Sequence, residues 1–158
     1  MNRIEFLREQ IIESRNFVNR LVSELPEDLW FVIPENTDSN FAWQIGHLIV
    51  AQNFHAITVI TGWNEKVNRV IPVAQYNKLF NGMGTLHRSV KEEVVTAFVL
   101  KNQLDAVHEI CIENLLALSD GILYTPLEPI PFKHEMWHSA EMEEIKRRLG
   151  YPIIWLNK

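Results

Sequence analysis

Residues 41–63 read FAWQIGHLIVAQNFHAITVITGW, the most apolar stretch of the chain. No proline interrupts this stretch, and Gly62 is suited to end a helix, so the pattern predicts a helix from about residue 40 to Ile60. Polar side chains recur within it, at Gln44, His47, Gln52, Asn53 and His55. They argue against a lipid-spanning segment, so we predict a helix of a globular protein that contacts no membrane.

Three further helices are predicted from apolar residues spaced mostly three, four or seven apart. The first runs from about residue 2 to 24. The next begins behind Thr96, a good N-cap, and runs from about 97 to 119. The last runs from about 132 to 149, with Gly150 just past its end.

The whole chain, residues 1–158, is predicted to fold as a single all-α domain. No stretch alternates apolar and polar residues between hairpin turns, so no sheet is expected. Residues 63–95 are broken by Pro72, Gly82 and Gly84 and are predicted to form a structured connection. Four amphipathic helices must then bury their apolar faces on one another, which predicts a four-helix bundle.

Net charge and cysteine content limit which partners and which cellular compartment are expected. The 15 Lys and Arg residues against 20 Asp and Glu residues give a formal charge of −5, the wrong sign for binding nucleic acid. Cys111 is the single cysteine and cannot form an intramolecular disulfide, and the first residues lack the apolar core of a signal peptide. We expect a cytoplasmic protein that binds no nucleic acid.

The sharpest local pattern is HEMWH at residues 134–138. His134 and His138 lie four apart on a predicted helix, so both imidazoles share one face. They can approach one metal ion at roughly 2.0–2.1 Å from each nitrogen. The alternative is that two surface histidines fall at this spacing by chance.

Glu135 completes an H-E-x-x-H string, which is typical of zinc peptidases that use this glutamate as the general base. Such an enzyme needs a third ligand further along the chain. Only 20 residues follow His138, and they leave no separate helix on which a glutamate ligand could lie. The zinc peptidase is therefore the weakest of the functions considered.

A third imidazole is sought on the second predicted helix, where His47 lies on an apolar face with Trp43. A buried imidazole needs a polar partner, because an unsatisfied polar group costs roughly 1–3 kcal/mol. A metal ion would be one such partner, and a nearby side chain or carbonyl would be another. The residues alone leave both open. Gly46 beside it would permit another helix to pack closely.

Taken together, these segments resemble the DinB-like superfamily, also called DinB/YfiT-like. Its first signature, a Trp, a small residue and a His on the second helix, is matched by WQIGHL at 43–48. Its second, H-x-x-x-H followed about ten residues later by a basic pair and Leu-Gly, is matched at 134–138 and by RRLG at 147–150. The segment YNKLF at 76–80 is similar to the Tyr-x-x-Leu-Phe segment of that family, so the resemblance spans nearly the whole chain.

The resemblance implies an up-down four-helix bundle, usually a homodimer, that holds a divalent metal ion through three histidines. By position, the ligands would be His47, His134 and His138. Three nitrogen ligands would leave a coordination position open for substrate, and zinc, nickel and iron all accept imidazole. Some members are transferases that use low-molecular-weight thiols. The implied function is a metal-dependent hydrolase or thiol-dependent S-transferase acting on an unknown small molecule.

Two glutamates are candidate catalytic residues beside these ligands. Glu141 lies three residues beyond His138 on the ligand face and is the better general-base candidate. Glu135 is turned about 100° from His134, so we expect it at the surface or behind a ligand.

The main alternative is a non-catalytic dimeric bundle, a binding or stress-response module whose histidines are core polar groups. Other titratable residues are predicted to lie outside any site. His55 lies about 80° round an ideal helix from His47, too far for a shared site. His108 is expected to face solvent, and Cys111 to be a small core residue.

Overall fold

The structure, a computed structural model, describes residues 3–82, 88–118 and 130–153, with residues 130–133 described by backbone alone. Its helices are α1 (Arg3–Glu24), α2 (Phe41–Gln52), α3 (Val59–Thr61), α4 (Glu65–Val70), α5 (Val73–Phe80), α6 (Ala97–Leu116) and α7 (Ile130–Arg148), with a 3-10 helix at Glu27–Leu29 and a π-helical turn at Asn53–Thr58. Within these residues the only extended pairing is an isolated bridge between Ser39 and Arg88. The all-α prediction is confirmed.

The long helices begin and end where the sequence places capping residues. Asn40 precedes α2, and its side-chain oxygen accepts a hydrogen bond from the Trp43 amide at 2.9 Å. Thr96 precedes α6 and accepts in the same way from Val99. Gly150 follows α7 with a φ of +89°, a conformation that L side chains rarely adopt. The predicted first, third and fourth helices therefore lie within three residues of α1, α6 and α7.

The core lies where the four long helices meet. Helices α1 and α2 each pack against both α6 and α7, while α5 packs on α2 and α4 on α6. Large side chains fill this core and are essentially inaccessible to solvent, among them Trp30, Phe41, Trp43 and Phe80. Burying an aromatic side chain contributes about 1.5–3 kcal/mol, so this core is the main source of stability. None of the described helices is long and apolar enough to cross a bilayer.

The second predicted helix differs from the structure. The prediction is one regular helix to Ile60. In the structure α2 ends at Gln52, and a π-helical turn follows it directly. A π-helical turn carries one more residue per turn than an α-helix, so it rotates every later side chain relative to α2. The predicted connection, residues 63–95, is also more helical than expected, because it contains α4 and α5.

His108 is half-buried and contacts Gln52, so it does not simply face solvent as predicted. Its Nδ1 is 3.2 Å from Nε2 of Gln52. The amide oxygen of Gln52 already accepts from Arg15, so Nε2 donates and His108 Nδ1 accepts. Burial, aided by the nearby Arg15 charge, lowers the pKa of His108 to about 3.

This low pKa predicts that acid lowers the stability of the folded protein through His108. Between pH 6.5 and about 3 the unfolded chain holds a proton on His108 that the folded chain does not, so stability falls as the pH falls. His108→Asn keeps an acceptor near the Nδ1 position but cannot titrate. In urea unfolding, the wild type should lose up to about 1.4 kcal/mol per pH unit more than the variant in this window. Parallel pH profiles would contradict the assignment.

Candidate metal centre

Three imidazoles converge where α2 packs against α7. Ring centroids lie 5.0 Å apart for His47 and His134, 4.4 Å for His47 and His138, and 4.6 Å for His134 and His138. One nitrogen from each ring lies within 4.8 Å of the other two, close enough for all three to share a metal ion. The expected juxtaposition of an early and a late helix is therefore present.

Hydrogen bonds on the side away from the centre determine which nitrogen of His47 and of His138 faces it. Nδ1 of His47 lies 2.6 Å from the Phe80 carbonyl, which can only accept, so this nitrogen carries the proton. Nδ1 of His138 lies 2.6 Å from Oε1 of Gln44 and 2.8 Å from a carboxylate oxygen of Glu141, and likewise donates. A neutral ring that donates from Nδ1 keeps the Nε2 lone pair for a metal ion. The donor set therefore fits a divalent transition metal.

The ring of His134 completes this arrangement. Its Nε2 lies 3.3 Å from Nε2 of His47, so the two nitrogens that would bind a cation already face one another. His134 lies in the second turn of α7, which begins at Ile130 and carries both late histidines on one face.

The end of α5 holds His47 in place. The last carbonyls of a helix have no partner within it. The Leu79 carbonyl accepts from the Trp43 indole at 3.0 Å, and the Phe80 carbonyl accepts from His47. The Trp43 ring also stacks on His47 with 5.0 Å between centroids and an interplanar angle of 7°. The connection between the second and third long helices is thus part of the site.

Gly46 allows this close approach of α5. A Cβ at this position would lie 2.3–2.6 Å from three atoms of the buried Phe80 ring, nearer than carbon atoms can pack. The prediction that Gly46 permits close helix packing is confirmed.

Gly46→Ala is therefore expected to damage both fold and site. Overpacking a core typically costs about 1–3 kcal/mol, and the higher helix propensity of alanine returns up to about 1 kcal/mol. Displacing Phe80 also moves the carbonyl that orients His47, so metal affinity should fall along with the urea midpoint. A Gly46 variant that keeps the wild-type metal affinity would show that the Phe80 contact does not orient His47.

Two of the three rings are held in the neutral form that binds a metal ion. Burial lowers the pKa of His47 to about 4. Burial, with the neighbouring His138 and His47, lowers the pKa of His134 to about 4. Both rings are therefore neutral at pH 7 and need lose no proton to bind a metal ion.

Glu141 contacts His138 and Arg88 and is not a free carboxylate in the cavity. One carboxylate oxygen of Glu141 accepts from His138 Nδ1 at 2.8 Å and from Arg88 at 2.5 Å. Partial burial would raise the pKa of Glu141, but these two hydrogen bonds outweigh it and hold the pKa at about 2. A carboxylate with so low a pKa is a weak base at neutral pH, and its geometry suits orientation of His138.

Glu135 is buried and is not a surface residue. Its carboxylate accepts from Arg15 at 2.6 Å and from Ser14 at 3.2 Å. Both oxygens of Glu135 are thus engaged on the side of α1, which leaves no carboxylate oxygen free to act as a peptidase base.

His55 lies nearer the three ligands than an ideal helix would place it. Its ring centroid is 5.7 Å from that of His134. The π-helical turn that contains His55 has fewer degrees of rotation per residue than an α-helix, so the ring turns back toward the face of His47. His55 nevertheless does not belong to the converging group of three.

A cavity of about 760 Å³ opens beside the three histidines. Its lining combines the aromatic rings of Trp43, Phe54 and Trp137 with the polar side chains of Arg88 and Glu141. Trp43 and Trp137 therefore form part of the cavity wall. Its volume lies within the range of sites for small molecules.

Sequence reasoning missed several residues that build this centre. Gln44 was seen only as a polar interruption of an apolar helix, although a buried amide needs a partner and here meets His138. Arg88 lies in the connection and carries no motif. The YNKLF segment contains Phe80 but does not indicate that its carbonyl would accept from His47. Cys111 is fully buried as predicted, and burial raises the pKa of its thiol to about 12.

Comparison with known proteins identifies one family. The family model for the DinB superfamily matches residues 10–143, which is 134 of the 158 residues. No curated protein matches the chain. The matched segment includes α2 and the first fourteen residues of α7, and so contains His47, His134 and His138.

Proposed function

Because the chain belongs to the DinB superfamily, we propose that it is a divalent-metal-dependent enzyme with His47, His134 and His138 as ligands. We further propose that the four long helices form an up-down bundle and that the protein is a homodimer. Zinc, nickel and iron all suit three imidazoles, so the ligand type does not choose among them.

The convergence of three imidazoles on one point carries this proposal. Two of them donate from Nδ1 to fixed acceptors, the Phe80 carbonyl and the Gln44 amide. Such outer partners are typical of metal-binding histidines, because they fix the ring and the tautomer. A histidine that serves only as a core polar group needs one hydrogen-bond partner. It has no need of a second imidazole facing it, as His134 faces His47.

The cavity indicates where chemistry would occur. A divalent ion held by three protein ligands supplies Lewis-acid activation at its open coordination position. The aromatic rings beside it would hold the apolar part of a small substrate and exclude water. Arg88, whose guanidinium lies 5.0 Å from the Trp43 ring centroid, would face the polar part of the substrate.

The two candidate reactions differ in the nucleophile. Hydrolysis needs only water. An S-transferase needs a thiol, and Cys111 cannot supply it, because this side chain is fully buried and its thiol has a raised pKa. The thiol would therefore be a second, low-molecular-weight substrate, and the cavity volume of about 760 Å³ accommodates both molecules.

Glu141 is proposed to orient His138 while lining the cavity. Glu141→Gln removes the charge that His138 and Arg88 share but keeps the shape of the side chain. We expect about tenfold weaker metal binding, the lower end of the cost of losing such an outer partner. At saturating metal, activity should largely return. Activity that stays lost at full occupancy would instead identify Glu141 as the general base.

The non-catalytic bundle and the peptidase have less support. A binding module has no need of three converging lone pairs, and the H-E-x-x-H peptidase would require a free Glu135 carboxylate. The structure instead engages that carboxylate with Arg15 and Ser14.

The experiment is metal analysis followed by an assay. Protein purified without an affinity tag should contain close to one equivalent of a transition metal, or take it up on reconstitution. The loaded protein is then incubated with a small thiol and an aromatic electrophile, or with ester and amide substrates alone. Metal-dependent turnover that His47→Ala abolishes would support the proposal. Less than a tenth of an equivalent of metal after reconstitution would refute it.

A further inference from the structure

We propose that Arg15 is a positioning residue of the metal centre, a buried guanidinium that fixes the two ligand-bearing helices relative to one another. The inference rests on the proposed function, since it concerns how the three histidines are aligned. Arg15 lies on α1, a helix that contributes none of the three proposed ligands.

Arg15 bonds to three other helices at once. Its Nε donates to Glu135 on α7 at 2.6 Å, and one terminal nitrogen donates to Gln52 on α2 at 2.7 Å. The other terminal nitrogen donates to the Leu104 carbonyl on α6 at 2.6 Å. Only 2% of the residue is exposed. One rigid, planar group therefore connects all four long helices.

The contacts of Arg15 lie next to the ligands in the chain. Glu135 directly follows His134 on α7. Gln52 lies five residues beyond His47 on α2, about 7.5 Å along the helix. Ser14 adds a second bond to Glu135, at 3.2 Å, from the same turn of α1. A rotation of α7 that turned His134 away from His47 would have to break the bond between Arg15 and Glu135.

Stability alone is a poor explanation for this ion pair. Removing two charges from water costs about as much as their attraction returns, and apolar residues of similar size are often as stable in their place. The guanidinium fork instead imposes direction, because each N–H must point at its own acceptor. A metal centre needs such direction, since its ligands must converge to within a few tenths of an ångström.

The chain contains a matched control. Lys146 on α7 is buried and forms an ion pair with Glu24 on α1. This pair joins the same two helices as Arg15 and Glu135, but Lys146 lies eight residues beyond His138, about 12 Å along α7. Lys146 is as buried as Arg15, although its partner Glu24 is about one-third exposed, and no proposed ligand lies next to the pair in the chain.

The test compares two double variants, Arg15→Met with Glu135→Met and Lys146→Met with Glu24→Met. For each, Co²⁺ affinity and the visible absorption spectrum of bound Co²⁺ are measured, together with the urea midpoint. The Arg15 and Glu135 variant should fold but bind Co²⁺ about 10- to 100-fold more weakly, with an altered spectrum. The Lys146 and Glu24 variant should keep the wild-type affinity and spectrum whatever its midpoint.

Wild-type affinity and spectrum in the Arg15 and Glu135 variant would overturn the proposal. Equal losses of affinity in both variants would also overturn it, because they would show a general effect of core charges. Should the first variant fail to fold, Arg15→Lys keeps the charge without the fork and should still weaken Co²⁺ binding; unchanged binding there would contradict the proposal. If wild-type protein binds no Co²⁺, the proposed function itself fails.

Discussion

His47→Ala is expected to weaken Zn²⁺ binding by at least about 100-fold. Structural zinc sites with four ligands contribute about 10–16 kcal/mol, which is roughly 3 kcal/mol for each ligand lost. The two histidines left on α7 would hold the ion with one protein ligand fewer. Competition with a chromophoric chelator measures the dissociation constant directly.

His55→Ala is the matched control for this substitution. Its ring lies 5.7 Å from that of His134 and lines the same cavity, yet it is not one of the three converging residues. The His55 variant should bind Zn²⁺ nearly as tightly as the wild type. Unchanged binding in the His47 variant would exclude the three-histidine centre and would revive the H-E-x-x-H interpretation.

Added metal should raise the melting temperature by about 5–11 °C when its free concentration is 100 times the dissociation constant. A ligand that binds only the folded state then stabilises it by about 2.7 kcal/mol. For a domain of this length each kcal/mol corresponds to about 2–4 °C. The shift should vanish in His134→Ala. Calorimetry of both proteins, with metal and with chelator, measures it.

A non-catalytic module makes the opposite prediction for the same scans. If the histidines are only core polar groups, metal leaves the melting temperature unchanged, and His134→Ala melts equally with metal and with chelator. A shift of the same size in wild type and variant would place the metal elsewhere on the protein.

The fold could be predicted from the sequence where local signals agree. Asn40, Thr96 and Gly150 mark the limits of long helices, and the spacing of apolar residues indicates their buried faces. The π-helical turn at Asn53–Thr58 could not be predicted, since the residues there have ordinary helical spacing and only the packing reveals the extra residue. An ideal helix therefore places His55 farther round from His47 than the structure does, where its ring lies 5.7 Å from that of His134.

Of the candidate site, the sequence predicts only the convergence of the three histidines. Residues four apart on a helix give a strong local signal, so His134 and His138 stood out at once. Outer partners such as the Phe80 carbonyl and Arg15 act from other elements, and no spacing in the sequence records those contacts. The sequence left Glu135 either at the surface or behind a ligand, and only the structure shows that it is buried. Homodimerisation and a cytoplasmic location stay predictions.

Anomalous diffraction from crystals grown with Zn²⁺ tests the central claim most directly. Data collected on either side of the zinc absorption edge should show one strong peak about 2.0–2.1 Å from Nε2 of His47, His134 and His138. A map with no peak among these three rings, or with its peak bound to the α7 pair while His47 faces away, would contradict the account.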